Sequence, residues 1–133
     1  MTNAIVETRA VSKAFGPIEA VCGVDLRVER GELFGLIGHN GAGKSTLFKM
    51  MLGLLPASSG EIIIDGESAL GPRFRAIRRK IGYLPENVIL YDNLSALETL
   101  HFFADLKAVS RSECPALIEK VGLGGAGNRR VCE

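Results

Sequence analysis

A chain of 133 residues with 47% hydrophobic content has room for one modest domain with an ordinary core. Sixteen basic residues against fifteen acidic ones leave a formal charge of +1, so composition makes no case for an anionic partner, and no nucleic acid is expected. Cys22, Cys114 and Cys132 are odd in number and lack a CxxC pair, which fits reduced thiols better than a disulfide framework or a zinc site.

The first elements read as strands. "AIVETRAV" (4–11) has strand character, and "VDLRVE" (24–29) alternates Val24, Leu26 and Val28 with charged neighbours, the mark of a half-buried strand. Gly31 then turns the chain into "LFGLIG" (33–38), apolar on both faces as the centre of a parallel sheet requires. A glycine-rich loop follows, and after it Leu47, Met50, Met51 and Leu54 recur at helical spacing until "PASSG" ends the helix. "EIIIDGES" (61–68) is a short strand running into an Asp-Gly turn. Next come a helix-compatible "PRFRAIRRK" (72–80) and a further strand, "IGYLP" (81–85). "SALETLHFFADLKA" (95–108) is a helix, with Ser95 and Glu98 as a capping box, and a last helix over about 112–121 stops at Gly122. The start "MTNAIVETRAVSK" has no apolar run of the kind a secretion signal needs, and the apolar region 47–55 is broken by Lys49 and Gly53. Work at a membrane is therefore expected to go through a docking partner.

The loop "GHNGAGKS", Gly38 to Ser45, fits G-x-x-x-x-G-K-[ST] in full and lies between a predicted strand and a predicted helix. Gly38, Gly41 and Gly43 allow backbone turns closed to most residues and let amide hydrogens approach an anion. The helix that follows aims roughly half a positive charge at the same point. Lys44 adds a compact cation for the terminal phosphates, and the Ser45 hydroxyl suits magnesium. His39 and Asn40 shape the loop, and Ala42 and Thr46 are counted with them among the nucleotide-binding residues. These residues predict a nucleoside triphosphate site with ATP and Mg2+ as its ligands.

Beyond the loop, the run "GELFGLIGHNGAGKSTL" with "GLLPASSGEIIIDG" resembles the ATP-binding subunit of an ABC transporter, and the similarity covers the whole chain. The resemblance implies an α/β P-loop NTPase of the ABC ATPase type with an antiparallel β subdomain. In "SKAFG" it implies that Phe15 stacks on adenine. In "IGYLPE" it places Glu86 where the family usually has a glutamine that touches magnesium and the attacking water. Glu86 as a metal contact and Glu86 as an exposed loop acid both stay open. "LYDNLSALETL" resembles the segment that faces the transmembrane partner. The implied partners are a permease subunit and a second ATP-binding subunit, with the chain peripheral on the cytoplasmic side of the membrane. Among the family's branches, "GYLPENVILYDNLSALETLHFFADLK" (82–107) is most similar to the copper-maturation transporter associated with nitrous oxide reductase.

Three features compete with this reading. A hydrophobic strand ending in Asp65 could supply a second magnesium contact, but Asp65-Gly66 is a hairpin signal. "GLGGAG" (122–127) fits G-x-G-x-x-G, yet it follows helical spacing rather than a strand. Arg73, Arg75, Arg78, Arg79 and Lys80 alternate with Phe74, Ile77 and Ile81 as a solvated helix face would. The resemblance also expects a signature motif, an acidic strand with a catalytic glutamate and a late histidine beyond residue 133. Residues 1–133 are thus expected to be the amino-terminal portion of the catalytic core plus the start of the helical subdomain, truncated before the signature motif. No complete catalytic set is expected, so this chain should bind ATP without appreciable hydrolysis. A non-hydrolysing regulatory module and an unrelated P-loop kinase are the alternatives.

Overall fold

A computed structural model describes residues 3–132 and divides the chain into two compact units, Met1–Ile81 and Gly82–Glu133. The first unit is built on two long strands, β1 (Ala4–Phe15) and β2 (Ile18–Glu29), joined by a tight turn at Gly16. A glycine loop leads into helix α1 (Lys44–Met51), followed by β3 (Ser59–Ile64), β4 (Glu67–Ser68) and the short helix α2 (Phe74–Arg78). The sheet is antiparallel throughout, in the order β2-β1-β3-β4. Val6 pairs with Val28 and Ile64, and Thr8 with Leu26 and Ile62. The expected alternation in β2 is present: Val24, Leu26 and Val28 are partly covered while Asp25 and Arg27 face solvent.

The core of this unit gathers Val11 of β1, Val21 of β2, Leu47 and Met50 of α1, Ile62 and Ile64 of β3, Phe74 of α2, and Ala69 just after β4. Leu47 and Met50, three residues apart, form the buried side of α1 and seat it against the sheet. Helix α1 closes earlier than the apolar spacing implies. Gly53 adopts φ 64°, Leu54 lies beyond the helix and is exposed, and a Cβ at Gly53 would collide with the Phe74 ring. The Asp65-Gly66 hairpin forms as expected, with φ of 50° and 78° at its two residues.

Two expected strands do not form. Among the described residues, 33–38 and 81–85 do not belong to the sheet. Leu33 is 100% exposed, Ile37 96% and Leu84 82%, although Leu36 still packs on the core. The reason is that an apolar run becomes a central parallel strand only when parallel neighbours supply its hydrogen bonds, and every described pair is antiparallel.

The second unit is helical. Helix α3 (Ala96–Lys107) begins with the predicted capping box: the Glu98 amide donates to Ser95 Oγ at 3.2 Å, and the Ser95 amide donates to Glu98 Oε2 at 2.8 Å. A 3-10 turn (Arg111–Glu113) leads into α4 (Cys114–Lys120), and Gly122 at φ 80° ends it. Residues Gly124–Ala126 of "GLGGAG" form another 3-10 turn with no strand before it. Among the described residues no helix is long and apolar enough to cross a membrane, and the three cysteines are free.

Candidate functional site

The glycine loop is placed by what lies beneath it. Pairing along the first hairpin skips Ala20: Lys13 pairs with Val21, whereas Ala14 pairs with Glu19. Such an irregularity redirects the backbone locally. A Cβ at Gly43 would overlap the Ala20 carbonyl oxygen and meet Val21 Cγ2 at 3.1 Å, so only glycine allows the loop to rest on β2 here. Gly43 also adopts φ 82° and Gly41 φ 87°, the left-handed region that glycine enters without a Cβ clash.

Gly43 is the N-cap of α1 and offers no side-chain cap, and the first turn carries no acidic residue. The first amide of this end with an internal partner is that of Leu47, which donates to Gly43 O at 2.8 Å. Among the described residues the amides of Lys44, Ser45 and Thr46 have no internal acceptor and are left to an external one, as helix starts require. Lys44 Nζ donates to Gly38 O at 2.5 Å and His39 O at 2.8 Å, curling its ammonium back over the loop. The Ala42 amide closes a turn to His39 O at 3.1 Å, and His39 Nδ1 lies 2.8 Å from Asn40 O. Ser45 is exposed beside these groups. The donor set, an ammonium, three amides and a hydroxyl on one turn, matches the chemistry of a magnesium-bound polyphosphate.

Phe15 ends β1 at the tip of the hairpin and is 48% exposed. Its neighbour Lys13, which is not among the expected site residues, holds its Nζ 5.3 Å from the Phe15 ring centroid. The signal was present in "KAFG", because residues two apart on a strand share a face.

Glu86 belongs to the second unit, on an exposed bend, with no hydrogen bond or ion pair among the described residues. The loop and Phe15 belong to the first unit. Asp65, the rival metal ligand, is engaged instead in ion pairs with Arg30 and, at 3.7 Å, Lys80. The Arg30 hydrogen bond, ahead of its charge and that of Lys80, holds the Asp65 carboxyl below its ordinary range. In the basic cluster, Arg73 pairs with Glu67 at 3.1 Å while Phe74 is buried, so the alternation is that of a small amphipathic helix. The second unit also holds an apolar groove of 740 Å³ lined by Tyr83, Leu84, Val88, Leu100, Phe103 and Val121.

The family described as ABC transporter matches residues 21–133. The chain is 42% identical over 100 residues to the probable multidrug ABC transporter ATP-binding protein YbhF of Escherichia coli, covering 75% of this chain and 17% of that protein. It is 35% identical over 127 residues to the lantibiotic transport ATP-binding protein SrtF of Streptococcus pyogenes, covering 96% of this chain and 54% of that one. A solved structure of the ATP binding subunit of an ABC transporter superposes with a TM-score of 0.79 at 33% identity, over 95% of this chain and 54% of the other. This chain therefore spans about half or less of the length of these proteins. Its fold is a portion of the ABC ATPase fold, and the chain belongs to the ABC transporter ATP-binding family.

Proposed function

We propose that Gly38–Thr46 binds the phosphates of ATP with magnesium, and that Phe15 carries the adenine. The reading rests on one observation above others: three helix-start amides without internal partners among the described residues, beside a lysine and a serine, on a loop that only glycine allows. Ser45 supplies the metal's hydroxyl contact, and Glu86 a carboxylate contact, direct or through water. Bound magnesium would neutralise phosphate charge. The chain's own residues hold and orient the nucleotide. Replacing Lys44 by Ala removes a charge-assisted bond worth roughly 1.5–3 kcal/mol, so MgATP affinity is expected to fall at least about tenfold. A fluorescent-nucleotide titration checks this, and a folded variant with unchanged affinity would remove the phosphate-cradle reading.

Residues 1–133 are read as the amino-terminal portion of an ABC nucleotide-binding domain, working with a permease and a second ATP-binding subunit on the cytoplasmic side of the membrane. The groove above supports the permease contact. It is apolar, and it lies along the segment "LYDNLSALETL" that resembles the family's partner-facing surface. We assign to it an apolar segment of the permease. The similarity of residues 82–107 supports the copper-maturation branch and is confined to that stretch. A regulatory module that binds ATP without turnover is the alternative. It predicts the same binding, and no ATPase activity even when assembled with its partners.

A further inference from the structure

Lys13 and Phe15 form a unit whose purpose the strand itself does not require. The Lys13 ammonium stands 5.3 Å from the Phe15 ring centroid and donates to Pro56 O at 2.7 Å. Pro56 lies shortly after α1, the helix that the phosphate loop opens. The same strand end is tied to this segment twice more: the Ala14 amide donates to Ser58 Oγ at 3.1 Å, and the Ser58 amide donates to Ser12 O at 2.8 Å. The ammonium is therefore held by a carbonyl rather than free on a long side chain, and no carboxylate among the described residues pairs with it.

A cation fixed over one face of a ring has two consequences. It closes that face and restrains the ring, leaving the opposite face for a planar ligand. It also draws π density toward itself, so the open face stacks better on an electron-rich neutral base. Phe15 is 48% exposed, which leaves ring surface available. We infer that Lys13 is a positioning residue for nucleotide base recognition: anchored on Pro56, it orients and polarises Phe15 as a one-faced platform for a neutral purine. This rests on the reading of Phe15 as the base platform. It assigns the lysine no contact with phosphate.

The test compares Lys13→Met, Phe15→Ala and the double variant of the 133-residue chain, each titrated with MgATP and with magnesium tripolyphosphate, which has no base. Lys13→Met keeps the apolar stem and should weaken MgATP binding about two- to fivefold, the scale of a cation–π contact at an exposed site. Tripolyphosphate affinity should not change, which also shows that the loop is folded. In the Phe15→Ala background the lysine substitution should add no further loss. Equal weakening toward both ligands, or the same loss with and without Phe15, would make Lys13 a mere brace of the hairpin and overturn the inference. If Phe15→Ala weakens MgATP while Lys13→Met does not, the inference fails and the platform stands. If Phe15→Ala leaves MgATP binding unchanged, the platform itself is refuted.

Discussion

The Lys44 ammonium donates to two carbonyls of its own loop, those of Gly38 and His39. A triphosphate would replace these neutral acceptors with charged ones, which form shorter and stronger bonds. Glu86 is the opposite case: a carboxylate on an exposed bend without a partner among the described residues. A group in that position contributes little unless a cation reaches it. If it contacts magnesium, Glu86→Ala should weaken ATP binding in the presence of the metal and leave binding in excess chelator unchanged. Equal losses under both conditions would assign it to the exposed loop alone. The loop residues were legible in the sequence because their types and spacing are the chemistry itself. Lys13 was legible only in part: "KAFG" puts it on the face of Phe15, but its anchor is the Pro56 carbonyl more than forty residues away. Asp65 illustrates a third situation. Its turn was legible, but Arg30 and Lys80, which occupy its oxygens, come from distant positions.

Among the elements, those set by local chemistry and the three antiparallel strands were readable, and the two apolar runs that would need parallel partners were not. The capping box of α3 and the Asp-Gly hairpin need only a few adjacent residues, and both form. Residues 33–38 and 81–85 have the composition of buried strands, but a strand exists only with a partner, and composition does not supply one. The same limit hid the groove of the second unit, whose walls come from the 83–90 segment, α3 and α4. Phe103 lies on its wall, 45% exposed, so a charge placed there disturbs the groove more than the core. With a permease segment as the occupant, the chain should sediment with native membranes and not with protein-free vesicles of the same lipids. Phe103→Glu should leave it in the supernatant. Sedimentation unaffected by the substitution, or equal on protein-free vesicles, would count against the permease contact.

At the scale of the whole molecule, binding and turnover separate. Contacts made equally to the ground state do not accelerate hydrolysis; groups acting on water and on transition-state charge are needed. In the first unit Asp65 is held by two cations, and Glu7, Glu29, Glu61 and Glu67 each pair with an arginine. The purified chain is therefore predicted to release phosphate from ATP no faster than its Lys44→Ala control. Lys44-dependent multiple turnover in a phosphate-release assay would show that Asp65 or Glu86 performs chemistry denied to it here. The central claim is simpler, that the amides opening α1 are the phosphate site. Its most direct measurement follows the backbone amide resonances of Gly41, Gly43, Lys44, Ser45 and Thr46 by NMR while MgATP is added. The account predicts that these shift together and saturate, and that magnesium tripolyphosphate moves the same set. Saturable ATP binding that leaves them unmoved would contradict it.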